Sequence, residues 1–213
     1  MIRAMVLGVV LTVALADTAL AQAATKGRVM GPDTALLVID IQNFYFDGGL
    51  VPLTGSVEAG DQARRVLDAF RAKHLPVIHV RHVPTSVAIV EGEPADPQYR
   101  IRPVVAPAAG EKIVSKRYAN SFRETDLLEH LQRTGIKRLV IVGMQTHMCV
   151  EAASRAATDL GFEVTVVHDA CATRPLEFGA QKVPAAQVQA AALAAINGTY
   201  GRVVSVDQLL KEF

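Results

Sequence analysis

The sequence predicts an α/β protein with a three-layer doubly wound fold, in which helices cover both faces of a six-stranded parallel sheet. Short apolar runs rich in β-branched residues alternate along the chain with segments of helical periodicity, which is typical of βαβ units. Within the runs, apolar residues occupy consecutive positions, as expected for strands covered on both faces. The length of 213 residues suits one domain of this kind.

Six apolar runs supply the predicted strands. In order, they cover residues 35–40, 76–80, 112–114, 138–142, 163–167 and 202–206. Parallel strands require crossover connections, and these are almost always right-handed. A doubly wound sheet is therefore the arrangement that these elements favour.

Four segments between the strands have helical patterns with recognisable ends. They cover residues 60–73, 125–134, 149–160 and 184–196. The first places Ala63 and Phe70 on one apolar stripe. Gly135 and Gly161 end the second and third, as glycine commonly does, and Pro184 opens the last. The Ala-rich face of this last helix is expected either to pack closely within the fold or to contact another subunit.

The N-terminus predicts export. Arg3 precedes an apolar stretch, and small-x-small sequences end at Ala21 and Ala23, which together make a secretory signal peptide with its cleavage site. The apolar stretch is too short to span a bilayer comfortably, which disfavours a membrane anchor. We expect residues 1–23 to be a signal peptide and residues 24–213 to be the mature domain, periplasmic or secreted and free of the membrane.

Composition excludes several classes of protein. The chain has 22 Lys and Arg against 21 Asp and Glu, a net charge of +1, so it lacks the basic footprint of a nucleic-acid-binding protein. Two cysteines are too few for a disulfide scaffold. The expected partners are a small-molecule substrate and further copies of the chain, in a dimer or a larger homo-oligomer.

Residues that can do chemistry stand where predicted strands end. Asp40 ends the first strand, Lys116 follows the third, and Cys149 begins the helix after the fourth. Ligands of open α/β sheets bind beyond the carboxyl ends of the strands, so these side chains should share one cleft. Each alone could be structural, as a turn carboxylate, a solvated lysine or a small buried thiol. Their joint placement predicts a catalytic site.

Together the three side chains support acyl transfer without a cofactor. The helix N-terminus and a nearby Lys116 are expected to lower the pKa of Cys149 and favour a thiolate nucleophile. Asp40 can take the thiol proton and return it to a leaving amine. Backbone N–H groups of the turn before the helix can hold the oxyanion.

The motifs around these residues resemble those of the isochorismatase-like cysteine hydrolases. The matching segments are Val38–Asn43, Lys116 and Val142–Val150. The resemblance extends from about Thr34 to Val206 and implies a six-stranded parallel sheet. It also implies a triad in which Asp40 is the acid–base residue, Lys116 the electrostatic partner and Cys149 the nucleophile. A further implication is a cis peptide between Met144 and Gln145, with the N–H groups of Gln145 and Cys149 as oxyanion donors.

The resemblance bears on metal binding as well. Nicotinamidases of the family bind a metal through an Asp-x-His motif and a further His after the second strand. Here that region contains His79 and His82 without the motif, and a strand should point them to opposite faces. We therefore expect no metal and no other cofactor, and nicotinamide is disfavoured as a substrate.

Cys149 indicates the reaction. Siderophore-type isochorismatases lack the nucleophilic cysteine, because vinyl-ether hydrolysis requires no acyl-enzyme. The expected reaction is hydrolysis of a C–N bond in a small amide, ureide or carbamoyl compound through a thioester. The alternatives are an isochorismatase-type vinyl-ether hydrolase, a non-catalytic small-molecule binding protein on the same fold, and a thiol redox protein.

Other residues are candidate substrate contacts or supports. The candidate contacts are Gln42, Phe44, Tyr45 and His147. The aromatic pair forms either a wall for a planar substrate or a packed turn, and His147 either contacts substrate or stabilises its turn. Asp169 is expected to brace loops just past the fifth strand, and Cys171 to be structural. The segment from Pro84 to Pro107 is long for a plain loop and is expected to be a lid or a substrate wall.

Overall fold

The computed structural model describes residues 29–213, so the predicted signal peptide, residues 1–23, lies outside the described residues. The strands are β1 (Thr34–Ile39), β2 (Val77–His82), β3 (Ile89–Val90), β4 (Glu93–Pro94), β5 (Lys112–Lys116), β6 (Arg138–Met144), β7 (Glu163–Ala172), β8 (Leu176–Phe178), β9 (Gln181–Val183) and β10 (Arg202–Val204). The helices are α1 (Ser56–Ala72), α2 (Leu127–Arg133), α3 (Glu151–Asp159), α4 (Ala185–Ile196) and α5 (Val206–Leu209). Short 3₁₀ turns occupy Asn43–Tyr45, Pro97–Tyr99 and Pro103–Val105, and a π-helical turn at Thr146–Val150 precedes α3.

Six of these strands form one parallel sheet in the order β10-β7-β6-β1-β2-β5. This confirms the predicted α/β fold class and its six predicted strands. From β1 the chain winds outward to β2 and β5, then returns to β6 and winds outward to β7 and β10. The winding direction therefore reverses between β1 and β6, and a crevice opens at such a switch point beyond the carboxyl ends of the strands.

Both faces of the sheet are covered by helices. On one face, Leu37 and Ile39 of β1 belong to the same buried cluster as Leu131 of α2 and Ala153 of α3. Helix α1 packs on the sheet with Phe70 fully buried. The central strand is thus held from above and below, which fixes the position of the residue at its carboxyl end.

Strand β7 is longer than the sequence predicts. Asp169 and Cys171, expected just past the strand, lie within it, because β7 continues to pair with β6 beyond an irregularity, with Gly143 opposite Cys171. An acidic residue in an apolar run resembles a strand end in the sequence. In the structure the Asp169 carboxylate accepts a hydrogen bond from the N–H of Val206 at 2.9 Å. This bond gives the carboxylate a hydrogen-bond donor although it lies within the strand.

The segment from Pro84 to Pro107 is held to the rest of the fold by hydrogen bonds at two points. The N–H of Arg102 donates to the carbonyl of Ile41 at 2.8 Å. Nη2 of the buried Arg81 donates to the carbonyl of Gly92 at 2.6 Å, which holds the β3–β4 hairpin. The segment contributes a wall to a cavity of about 510 Å³ that also contains Ser115 and Arg117; its cavity-lining residues are Pro84, Thr85, Val87, Ala88 and Ile89.

Gly143 allows β1 and β6 to approach closely beside the switch point. Its φ is 139°, and a Cβ built on it would overlap the carbonyl oxygen of Ile39.

Gly143→Ala should lower the free energy of unfolding by more than about 3 kcal/mol, measured by urea titration, because backbone would have to move. Gly60→Ala within α1 is the matched control, since its Cβ would meet only side chains at 3.4 Å, and should change stability by no more than about 1 kcal/mol. Equal effects of the two substitutions would contradict this account.

Candidate active site

Three strand ends converge at the switch point. Asp40 directly follows β1 with a φ of 51°, a conformation that aspartate tolerates better than most residues. Lys116 is the last residue of β5, and Cys149 lies in the π-helical turn after β6. The backbone N–H of Asp40 donates to the carbonyl of Val80 at 2.9 Å, so the main chain of the acid is fixed by the neighbouring strand.

The structure brings Asp40, Lys116 and Cys149 into contact. Nζ of Lys116 is 2.6 Å from Oδ2 of Asp40 and 3.2 Å from Sγ of Cys149. The exposed fractions of the three residues are 0%, 1% and 6%, respectively. A buried ammonium is tolerated only when it is paired and hydrogen-bonded, and here the acid and the sulfur supply its partners.

The Cys149 thiol is neutral at rest. Burial, reinforced by the Asp40 carboxylate, raises the pKa of Cys149 to about 12, although Lys116 acts in the opposite direction. The expectation of a lowered thiol pKa is therefore wrong, because the site is too dry for the helix terminus and one ammonium to stabilise a thiolate. Burial opposes the charge on Lys116, but Asp40 and Cys149 outweigh burial and raise the lysine pKa.

Asp40 has an oxygen that can accept a proton. Oδ2 accepts the hydrogen bond from Lys116, whereas the buried Oδ1 has no hydrogen-bond partner among residues 29–213. A buried carboxylate oxygen without a donor is costly, and such costs are found at functional sites. The arrangement can move a proton from the thiol to the acid while the lysine retains its own.

The turn before Cys149 has the backbone form that the resemblance implies. The peptide between Met144 and Gln145 is cis, and the π-helical turn begins at the next residue. The buried side chain of Gln145 is held from two sides. Its Nε2 donates to the hydroxyl of Tyr45 at 3.3 Å, and its Oε1 accepts from Nε of Arg174 at 3.2 Å.

Gln42 does not face a substrate. It is fully buried, and its Oε1 accepts the N–H of His82 at 2.7 Å. Its Nε2 donates to the carbonyl of His82 at 2.9 Å and to that of Tyr99. With its amide engaged by backbone, Gln42 ties β2 to the loop that contains Tyr99, and the expectation of a substrate contact is wrong for this residue.

Of the two aromatic candidates, Phe44 packs within its turn, whereas Tyr45 lies near Asp40. Phe44 is buried, with its ring centroid 4.0 Å from that of Tyr45 and 5.3 Å from that of Tyr99, which corresponds to the packed turn rather than an open wall. Burial and the Asp40 carboxylate raise the pKa of Tyr45. The phenol of Tyr45 therefore lies within electrostatic reach of the acid.

His147 lies beside the cluster of Asp40, Lys116 and Cys149 rather than in it. Its Nδ1 is hydrogen-bonded to Oγ1 of Thr173, and its side chain lines a separate pocket against α4 that contains Val188 and Ala192. Burial lowers the pKa of His147. These contacts favour the turn-stabilising alternative for this residue.

Arg174 and His82 are site residues that the sequence analysis did not select. Arg174 is exposed and carries a positive charge at Gln145, next to the turn that contains Cys149. His82 ends β2, between the strands that end at Asp40 and Lys116. His82 could have been selected from its position just past the second predicted strand, whereas Arg174 follows a strand whose length the sequence did not reveal.

No cluster of three or more His, Cys, Asp or Glu side chains within residues 29–213 could hold a metal ion. His79 is buried, and its Nε2 lies 2.8 Å from the carboxylate of Glu111. The same carboxylate binds Arg71. His79 thus belongs to a buried polar network distinct from the Asp40–Lys116–Cys149 cluster.

Comparison with known proteins identifies the family. The isochorismatase domain model matches residues 34–208. Over 178 residues the chain is 41% identical to the uncharacterised isochorismatase family protein YddQ of Bacillus subtilis strain 168, covering 84% of this chain and 99% of YddQ. The crystal structure of an isochorismatase-type hydrolase from Oleispira antarctica superposes with a TM-score of 0.79 at 47% identity, covering 87% of this chain and 100% of that one. The chain therefore belongs to the isochorismatase family of hydrolases, which confirms the resemblance seen in its motifs.

Other relatives carry names that describe a location or a reaction. The secreted isochorismatase effector Isc1 of Verticillium dahliae is 33% identical over 178 residues, covering 81% of this chain and 88% of Isc1. A maleamate amidohydrolase from Pseudomonas putida is 31% identical over 161 residues, covering 68% of this chain and 74% of the enzyme. The ureidoacrylate amidohydrolase RutB of Rhizobium rhizogenes is 29% identical over 171 residues, covering 65% of this chain and 70% of RutB. The family thus includes amidohydrolases.

Asp40→Asn should lower the pKa of the Cys149 thiol, because the substitution removes negative charge that raises it. The pKa is measured from the ultraviolet absorbance of the thiolate as the pH is raised. The same titration of Cys149→Ser gives the contribution of Cys171, which is subtracted. The parent should show no Cys149 thiolate up to about pH 9, and Asp40→Asn should titrate at a lower pH than the parent. A parent that holds a thiolate at neutral pH, or an unchanged pKa in Asp40→Asn, would contradict the assignment of a neutral resting thiol.

Proposed function

We propose that the protein is an exported cysteine hydrolase that cleaves a C–N bond of a small amide, ureide or carbamoyl compound through a thioester. The observation that carries the proposal is the buried Lys116 ammonium in contact with both the Asp40 carboxylate and the Cys149 sulfur. A nucleophile, a proton acceptor and a fixed positive charge are the parts that acyl transfer requires. A protein that only binds small molecules has no need of this buried arrangement.

Acylation begins with a proton transfer. As Sγ of Cys149 bonds to the substrate carbonyl carbon, the thiol proton passes to Asp40 and the carbonyl π electrons move to oxygen. The N–H groups of Gln145 and Cys149 hold the oxyanion. The electrons then return, the C–N bond breaks, and Asp40 gives its proton to the departing nitrogen. The products are a free amine and a thioester on Cys149.

Deacylation repeats these steps with water. Asp40 removes a proton from water as the oxygen attacks the thioester carbonyl, and the second tetrahedral intermediate expels the sulfur. Asp40 returns the proton to the sulfur, which restores the neutral thiol and releases a carboxylic or carbamic acid. Lys116 remains protonated throughout and stabilises negative charge as it shifts between the sulfur and the acid.

Arg174 favours substrates that carry a carboxylate. Its guanidinium is exposed beside Gln145, and it forms no ion pair within the described residues. Arginine binds carboxylates through two parallel hydrogen bonds. The names of two relatives, maleamate amidohydrolase and ureidoacrylate amidohydrolase, denote substrates of this charged class.

Export and self-association belong to the same proposal. Export is supported by the N-terminal pattern of charge, apolar run and small-residue sites and by a relative named as a secreted effector. Within residues 29–213, no helix is both long and apolar enough to cross a membrane. Helix α4 is rich in alanine, yet its buried residues are only Val188, Ala192 and Ile196, which leaves apolar surface for a second copy of the chain.

A panel of amides, ureides, carbamoyl compounds and isochorismate tests the reaction. Cys149→Ala and Asp40→Asn should each lower kcat on the C–N substrates by at least about a hundredfold, because each removes a group that acts in every turnover. Cys171→Ala is the matched control and should retain activity. Among matched amides, those with a carboxylate should have the higher kcat/KM, and Arg174→Met should reduce that preference.

Two outcomes of the panel would overturn the proposal. Turnover of isochorismate that survives Cys149→Ala would establish the vinyl-ether alternative, because that reaction requires no acyl-enzyme. Saturable binding without turnover of any compound by the parent would establish a binding protein on this fold.

A further inference from the structure

His82 stands in the row of strand ends that forms the site. It is the last residue of β2 and pairs in register with Lys116, the last residue of β5. Residues paired in this way direct their side chains to the same face of a sheet. On the other side of β2 is β1, which ends at Asp40. The imidazole of His82 therefore lies among the groups of the catalytic cluster, and the charges of both Asp40 and Lys116 act on it.

The imidazole of His82 is unbonded in the part of the chain that the structure describes. Within residues 29–213 it forms no hydrogen bond and no ion pair, whereas His79 and His147 are each bound to a neighbouring side chain. His82 is only partly buried, so part of its side chain is accessible from solvent. Burial lowers the pKa of His82, and a neutral imidazole offers one donor and one acceptor.

The backbone of His82 is clamped by a single buried side chain. Gln42 accepts its N–H at 2.7 Å and donates to its carbonyl at 2.9 Å. Gln42 follows Asp40 by two residues and is itself held by the carbonyl of Tyr99. A histidine with a fixed main chain and a free ring is arranged to meet a ligand rather than to stabilise the fold. Gln42 then acts as a positioning residue for His82.

The order of the strand ends indicates which part of a substrate meets the ring. Across the sheet, the turn of Gln145 and Cys149 follows β6, Asp40 follows β1, and His82 ends β2. With the substrate oxygen in the turn, the carbonyl carbon lies at Cys149 and the departing nitrogen at Asp40, which protonates it. The group attached to that nitrogen then extends toward β2, which ends at His82.

We propose that His82 is a substrate-contacting residue whose imidazole accepts a hydrogen bond from an N–H on the departing nitrogen. The inference rests on the proposed C–N hydrolysis and adds a specificity determinant to it. An accepted hydrogen bond orients the nitrogen lone pair toward Asp40 without moving a proton to the histidine. The site should therefore discriminate between nitrogens that carry an N–H and fully substituted ones.

The test compares a primary amide with its N,N-dimethyl analogue in the parent and in His82→Ala. The variant should lower kcat/KM for the primary amide by about tenfold, because a buried N–H loses its acceptor. It should change kcat/KM for the dimethyl analogue by less than about twofold. His82→Gln, which retains an acceptor, should recover part of the loss. His74→Asn is the matched control, since His74 lies between α1 and β2 at the opposite edge of the sheet and its φ of 53° suits asparagine.

A binding measurement separates this inference from the proposed function. Calorimetry with Cys149→Ala should give tighter binding of the primary amide than the double variant Cys149→Ala, His82→Ala. If the parent hydrolyses no amide but this difference is present, the reaction is wrong and the His82 contact is upheld. If the two variants bind the primary amide equally, or if His82→Ala weakens both analogues alike, the inference is overturned whatever the parent hydrolyses.

Discussion

The charge of Lys116, buried at the carboxyl end of β5, is the constraint on which the rest of the site depends. An ammonium removed from water costs several kcal/mol, of the order that only a close and well-oriented counter-charge offsets. Asp40 at 2.6 Å supplies that counter-charge, and Cys149 at 3.2 Å completes the contact. Because each of the two buried charges is stabilised by the other, Lys116 and Asp40 remain paired inside the site. The same requirement that makes the cluster stable holds a thiol beside a carboxylate, which is the arrangement needed for proton transfer.

The order of the strands in the sheet brings Lys116, Asp40 and Cys149 together, although they are far apart in sequence. Winding that reverses between β1 and β6 places the residue that follows β1 beside the turn that follows β6. The close approach of Gly143 to Ile39 sets the separation of those two strands, and the amide of Gln42 fixes the end of β2 to a neighbouring loop. The polar groups of the cleft are thus held by backbone from several directions, so that their geometry is preorganised before a substrate arrives.

The fold and the convergence of the three site residues could be predicted because both follow from local pattern. Runs apolar at successive positions indicate buried parallel strands, and the ends of parallel strands meet at one edge. What could not be predicted depends on the surroundings of each group. The direction of the pKa shift of Cys149 depends on how much water the packed site excludes. The role of Gln42 depends on which backbone groups its amide reaches, and the full length of β7 depends on its pairing with β6 beyond an irregularity in register.

The central claim is that Cys149 becomes acylated while Asp40 carries the proton. Intact-protein mass spectrometry after acid quenching during steady-state turnover tests it most directly, with a substrate selected from the panel. We expect a covalent adduct on Cys149 equal in mass to the acyl portion of the substrate. It should be absent in Cys149→Ser and removed by hydroxylamine, as a thioester is. Turnover at an undiminished rate with no adduct in the parent, and with equal rates in Cys149→Ser, would contradict it.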